Sequence, residues 1–456
     1  MNLKVIILAA GKGTRMRSSI PKVLHKLAHK SLVEHVIDTA QQLSPAQIVV
    51  VYGHGGDIVP ESLSHLSVDW AEQAEQLGTG HAVEQGMTKL DQDGLVLVLY
   101  GDVPLTQLAT LKELLLVGSQ EKSLGLLTAE LDDPTGYGRI VRNEQGDVLK
   151  IVEQKDATEQ EKQISEINSG ILCAGNQVLR SWLEKLENAN AQGEFYLTDI
   201  IGMAVEDGFQ VNTVKSVDHW EIDGINNKSQ LANLERVYQL NIANKLMEKG
   251  VILRDPARID VRGNLHIGED TLIDVNVIFE GDVDIGTGAT IGANCIIKNC
   301  KIGDETVIHP NSVLENSKLG NKCEIGPFAR LRPDTCLADR VKVGNFVEIK
   351  KSNIAEGSKV NHLSYVGDTQ MGKNVNVGAG TITCNYDGAN KYVTEIGDAV
   401  FIGSDTQLIA PVIIGNGATI GAGSTITKDV PAQELTLSRA KQTTIAGWSR
   451  PAKKTK

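Results

Sequence analysis

The chain has 456 residues, of which 41% are hydrophobic but only 4% aromatic, and its net charge is −12. A chain this long can bury a large core, here mostly of Val, Ile and Ala. The negative balance excludes broad binding to nucleic acid or to anionic membranes, because both need a positive surface.

The opening, Met1 to Ala10, is too short for the apolar core of a signal peptide and has no cleavage pattern, and no stretch approaches transmembrane length. The six cysteines, Cys173, Cys295, Cys300, Cys323, Cys336 and Cys384, show no C-x-x-C spacing and read as free thiols. A cytoplasmic protein without membrane insertion is expected.

A strand-like run from Leu3 to Ala10 leads into Gly11-Lys-Gly-Thr-Arg-Met16 and then Pro21-Lys22. A buried strand opening into a glycine-rich loop lets backbone N–H groups approach a polyphosphate. The dinucleotide fingerprint fails, since its third glycine would be Met16, and no G-K-[ST] completes a P-loop. The longer string G-K-G-T-R-M-x-x-x-x-P-K resembles the signature of sugar-1-phosphate nucleotidyltransferases.

Gln73-Ala-Glu-Gln-Leu-Gly-Thr-Gly80 is a second glycine-rich turn, in which Gln73, Gly78 and Thr79 suit a base edge. Val96 to Tyr100 is an apolar strand ending in Gly101-Asp102. Ligands gather at the carboxyl ends of strands in an open parallel sheet, so Asp102 is placed to hold a metal, although alone it would read as a turn residue. Gly138, Glu153 and Asn168 are candidate sugar contacts that singly read as turn or strand-end residues.

From Asn227 to Lys249, Leu231, Leu234, Tyr238, Ile242 and Leu246 recur at helical spacing, with Gly250 as a stop. A linker helix is expected over 230–250, between domains at 1–229 and 251–456. From about residue 265 an aliphatic residue returns every six positions: Ile267, Ile273, Phe279, Ile285, Ile291 and Ile297 open a series that ends at Ile426. One-residue slips and an interruption from Cys384 to Glu395 punctuate it. Period six is neither helical nor alternating, and three hexapeptides make one triangular coil, giving nine coils in a prism on the order of 40 Å long. The repeat resembles the hexapeptide acyltransferases, which implies a left-handed prism that forms trimers.

Signature, helix and repeat in this order resemble one family over essentially the whole chain. It comprises the bifunctional bacterial N-acetylglucosamine-1-phosphate uridyltransferases / glucosamine-1-phosphate N-acetyltransferases. The resemblance implies an α/β chain with an N-terminal Rossmann-like nucleotidyltransferase domain, a linker helix and a C-terminal left-handed parallel β-helix. It implies acetylation of glucosamine 1-phosphate by acetyl-CoA. UTP then converts N-acetylglucosamine 1-phosphate into UDP-N-acetylglucosamine and pyrophosphate.

By the same resemblance Leu8, Ala9, Ala10, Gly11, Gln73, Gly78 and Thr79 hold the uridine nucleotide, with Lys22 at its phosphates. Asp102 and Asn226 bind Mg²⁺, and Tyr100, Gly101, Gly138, Glu153 and Asn168 complete the nucleotide and amino-sugar site. In the second domain Arg332 and Lys350 take the sugar phosphate, Tyr365 and Asn376 the sugar, and His362 is the base. Ala379, Asn385, Tyr386, Ser404, Ala422 and Arg439 serve acetyl-CoA.

The chemistry agrees with these assignments. Attack of one phosphate on another brings anions together, which calls for Mg²⁺ and basic side chains, here Arg15 and Lys22. An attacking amine must lose protons, work suited to an imidazole, which titrates near 6.5. Without the resemblance His362 would read as an idle loop histidine.

Some β-helix proteins resemble carbonic anhydrases, but His266, His309 and His362 lie coils apart and cannot share a metal. A nucleotidyltransferase with a β-helix serving only as trimer scaffold is the alternative. The polar insertion Asn385-Tyr-Asp-Gly-Ala-Asn390 argues against it. The prism's interior is filled by aliphatic residues, so polar work falls to its outer faces, and an acetyl site between subunits of a homotrimer is expected.

Overall fold

The computed structural model describes residues 2–453, which form two compact units, Met1–Tyr238 and Gln239–Lys456. In the first, a mixed sheet runs in the order Gln210–Lys215, Ser123–Glu130, Glu166–Gly175, Leu95–Tyr100, Leu3–Leu8, Gln47–Tyr52 and Asp69–Glu72. Glu166–Gly175 is antiparallel to both its neighbours, while Leu3–Leu8 is parallel to Gln47–Tyr52 and to Leu95–Tyr100. The central strands are nearly continuous apolar runs because both faces are covered: Ile6, Val49, Val51, Val96 and Val98 belong to one core, Val5, Ile7, Val50, Leu97 and Leu99 to the other.

The first strand pairs with the second on one side and the fourth on the other, so the chain order reverses between them. A crevice opens at such a switch point beyond the carboxyl ends of the strands. The ends concerned are Leu8 and Tyr100, which lead into Gly11 and Asp102.

A helix spans Lys228–Glu248. In the first unit its Leu234 packs with Met16, Leu27, Leu32 and Ile225, and in the second its Ala243 and Leu246 join the core of the β-helix. The helix ends at Gly250, where φ is +87° and the Val251 N–H reaches back to the Leu246 carbonyl.

In the second unit the six-residue series becomes a vertical stack. Ile273 pairs with Ile291, then come Ile308, Ile325, Val343, Val360, Val377, Ile402 and Ile420, each in parallel register with the next. All of these are buried in one continuous core with the two matching columns.

The coil is longer than the period-six reading at both ends. It begins with Ile252–Leu253 and Ile259–Ile267, and it closes with Leu435–Thr436, which pairs with Thr419–Ile420. One ladder therefore has eleven strands, not nine, and the segment after Ile426 has not yet left the stack. The ends escaped the period because backbone pairing continues where the inward aliphatic residue shifts, as at Val430, which bridges to Ile414.

The insertion is a small hairpin closed by an antiparallel bridge between Tyr386 and Lys391. All six cysteines are free, and Cys173, Cys295, Cys300 and Cys323 are buried.

Candidate functional sites

The crevice at the switch point is a cleft of about 400 Å³. Leu8, Ala9, Ala10, Gly11, Lys22, Gln73, Gly78, Thr79, Tyr100 and Asp102 all line it. The spacing of the first motif has a geometric cause. Gly13 has φ +56°, and a Cβ there would lie 2.7 Å from the Cβ of Lys22. The loop can fold back on Pro21-Lys22 only with glycine at that position.

Lys22 then reaches across the cleft mouth. Its ammonium pairs with Asp102 Oδ2 and lies 3.1 Å from Asn226 Oδ1. Asn226 is brought there by the turn in which the Ile225 N–H donates to the Asp102 carbonyl. The two residues expected at a metal thus converge from distant parts of the chain on one cation.

Gln73 is buried, and its amide nitrogen is spent on the Gly78 carbonyl (3.0 Å) and His81 Nδ1 (3.1 Å). Its carbonyl oxygen is left as an acceptor for an N–H donor, such as the imide of a pyrimidine base. Behind the cleft, Glu153 accepts from Thr198 (3.1 Å), Asn168 donates its N–H to the Gly138 carbonyl (2.9 Å), and the Tyr100 ring packs on Gly170. Burial, with Asp199 and Asp156 nearby, pushes the Glu153 carboxyl above its ordinary range, and burial raises the Tyr100 phenol.

Arg15 is not brought to this site. It lies exposed on the short Thr14–Met16 turn and does not line the cleft. Lys12, Gln76 and Glu194 line it instead. Lys12 stood inside the motif, while nothing local marked Glu194.

In the second unit His362, Ala379, Ser404 and Ala422 occupy successive coils on one edge. The Gly380 N–H donates to the His362 carbonyl, that of Asp405 to Ala379, and that of Gly423 to Ser404. Arg439 follows, donating to the Ala422 carbonyl at 3.0 Å. Residues scattered over the sequence become a straight track.

The adjoining face carries Glu348, Lys350 and Tyr365 on neighbouring strands, with Arg332 just past the strand Arg330–Leu331. Arg332 pairs with Glu348 at 2.7 Å. The ammonium of Lys391, then burial and the charge of Arg332, depress Lys350 below the ordinary lysine range. Lys350 and Lys391, with Arg332 beside them already paired to Glu348, form a basic group able to stabilise an anion.

Lys391, in the inserted hairpin, escaped notice because only the fold carries the hairpin to this face. Asn385 is buried and donates to Asp368 Oδ2 at 2.5 Å, fixing the hairpin's base, while Tyr386, at the bridge that closes it, is exposed. Asn376, on the strand leading to Ala379, makes no side-chain hydrogen bond among the described residues.

Residues 5–139 match the MobA-like NTP transferase domain, 261–345 the GMPPB C-terminal domain and 394–428 the bacterial transferase hexapeptide (six repeats). Over 455 residues the chain is 57% identical to the bifunctional protein GlmU of Nitrosospira multiformis, covering 100% of this chain and 99% of that protein. The chain belongs to the GlmU family.

GlmU proteins of Aromatoleum aromaticum and Marinobacter nauticus are also 57% identical, each with 99% of both chains covered. As a GlmU-family member it is a bifunctional enzyme, with a nucleotidyltransferase in its first half and a hexapeptide acetyltransferase in its second. No helix among the described residues is long and apolar enough to cross a membrane.

Proposed function

We propose that this chain makes UDP-N-acetylglucosamine in two steps at separate sites. In the second unit the amine of glucosamine 1-phosphate attacks the thioester carbonyl of acetyl-CoA. The amine's proton passes to His362, the C–S bond breaks, and the protonated imidazole returns that proton to the departing thiolate, so that coenzyme A leaves as its thiol. In the first unit a phosphate oxygen of N-acetylglucosamine 1-phosphate attacks the α-phosphorus of UTP, and pyrophosphate leaves.

The observation that carries the reading is the track from His362 to Arg439. It suits a long donor laid along one edge, whose His362 end shares a coil with Tyr365, next to the Arg332, Lys350 and Lys391 group that would hold a sugar phosphate.

Asp102 and Asn226 offer a carboxylate and an amide oxygen, the hard donors that hold Mg²⁺ together with phosphates and water. That Lys22 already places a positive charge between them supports the assignment. Mg²⁺ bound there supplies charge neutralisation for the phosphates. Lys22 adds to it, Gln73 orients the base, and Glu153 and Asn168 hold the amino sugar.

The direct test supplies glucosamine 1-phosphate, acetyl-CoA, UTP and Mg²⁺ and measures coenzyme A and pyrophosphate separately. Both are expected, and omitting Mg²⁺ should stop pyrophosphate alone. Pyrophosphate from supplied N-acetylglucosamine 1-phosphate without any coenzyme A release would leave the β-helix as a scaffold.

The acetyl site is completed by a neighbouring subunit in a homotrimer. Phe328, Phe346 and Leu363 stand exposed along the edge beside His362, all with φ near +50°, and the two phenyl rings stack at 5.2 Å. Bulky side chains in left-handed backbone facing solvent support a subunit contact. Arg439 precedes an exposed tail that carries Ile445 and Trp448. His362→Ala and Arg439→Ala variants should each be weak in acetyl transfer, and co-refolding them should restore part of the activity. A mixture no better than the mean of its parents, with subunit exchange verified, would place both residues in one subunit's site.

A further inference from the structure

We infer that Asn345 is a positioning residue that holds His362 in the tautomer able to act as a base. The inference rests on the reading of His362 as the acetyl-transfer base.

Asn345 ends the strand Lys342–Asn345 and pairs in register with His362, which ends the strand Lys359–His362. Asn345 Oδ1 lies 3.0 Å from His362 Nδ1. The main chain on both sides is fixed. The Asn345 carbonyl accepts the Leu363 N–H at 3.1 Å, and the His362 carbonyl accepts from Ser364 Oγ at 2.8 Å and from the Gly380 N–H at 3.2 Å. The corner is tight, since a Cβ on Gly344 would lie 2.0 Å from the Asn361 carbonyl oxygen. Only glycine permits that approach, and it brings the Asn345 amide within reach of the next coil.

An amide oxygen only accepts, so the ring nitrogen facing it must carry the hydrogen. With the proton on Nδ1, Nε2 keeps its lone pair, and Nε2 has no protein partner among the described residues. The opposite arrangement, with the amide N–H on Nδ1, would place the proton on Nε2 and leave nothing to receive one from the amine. A neutral amide fixes this choice without adding a negative charge that would favour the protonated ring. Proton transfer then runs from the substrate amine to Nε2, while Nδ1 stays hydrogen-bonded to Asn345.

The test compares acetyl-transfer kinetics of Asn345→Ala, Asn345→Ser, Asn345→Asp and His362→Ala, with ¹⁵N-histidine spectra of the free enzyme. Asn345→Ala should lose about 10-fold or more in kcat, with both KM values within about twofold. Its His362 resonances should move from the Nδ1–H to the Nε2–H tautomer. Asn345→Ser, too short to reach, should behave like alanine and serves if alanine unfolds the corner.

Asn345→Asp keeps an acceptor and should restore the Nδ1–H tautomer, with activity recovered at alkaline pH. A kcat for Asn345→Ala near wild type while His362→Ala is crippled would overturn the inference alone. So would an aspartate variant as impaired as alanine at every pH, because the amide would then act as a donor. Wild-type acetylation by His362→Ala would instead remove the base itself.

Discussion

Replacing His362 with alanine should lower acetyl transfer by about 10²–10⁴-fold, the usual contribution of a positioned general base. Uridyl transfer from supplied N-acetylglucosamine 1-phosphate should continue at the wild-type rate. The imidazole is exposed on the β-helix edge and takes no part in the aliphatic interior, so its removal leaves the stacked core untouched. The lost step is specific. Without a base, the substrate ammonium must shed its proton to water before attack, and only the small neutral fraction reacts. Measurement of thiol release at saturating acetyl-CoA separates this from weakened binding. Acetylation within a few-fold of wild type would take His362 out of the mechanism.

Asp102→Asn should remove essentially all pyrophosphate release, a loss on the order of 10²-fold or more when a charged ligand is taken from a phosphoryl-transfer centre. The substitution keeps the shape of the strand end but removes the negative charge that meets Lys22. Two positive contributions would then lose their anchor together: the proposed Mg²⁺ would lack its carboxylate, and the lysine would be free to swing. Coenzyme A release should stay near wild type. Loss of both activities in a folded variant would contradict independent sites.

What could be read from residues alone followed from chemistry that acts locally. The period-six series located almost every inward position, because each coil repeats the same burial. The string from Gly11 to Lys22 marked the cleft, because its loop closes on itself within a few residues. Reading failed where contacts join remote segments. Lys391 meets Lys350 only after a hairpin folds over a face, and Glu194 reaches the switch-point cleft from a loop with no signature. Arg15, a basic residue inside the same motif, lies exposed on its turn rather than along the cleft wall. The ends of the β-helix were missed for a third reason: hydrogen bonding between strands continues past the last regular aliphatic residue.

The hairpin at Tyr386–Lys391 interrupts the chain but not the ladder. Thr369 pairs with Thr394 across it, just as Thr335 pairs with Ser352 where no insertion intervenes. Each coil reads only its neighbours, so the stack is indifferent to how much chain is spent between two strands at a corner. Such corners are places where evolution, or an engineer, can splice in loops of new length and chemistry. The scaffold separates durability from innovation: acceptor preference can be rewritten at an edge while the interior keeps its rhythm.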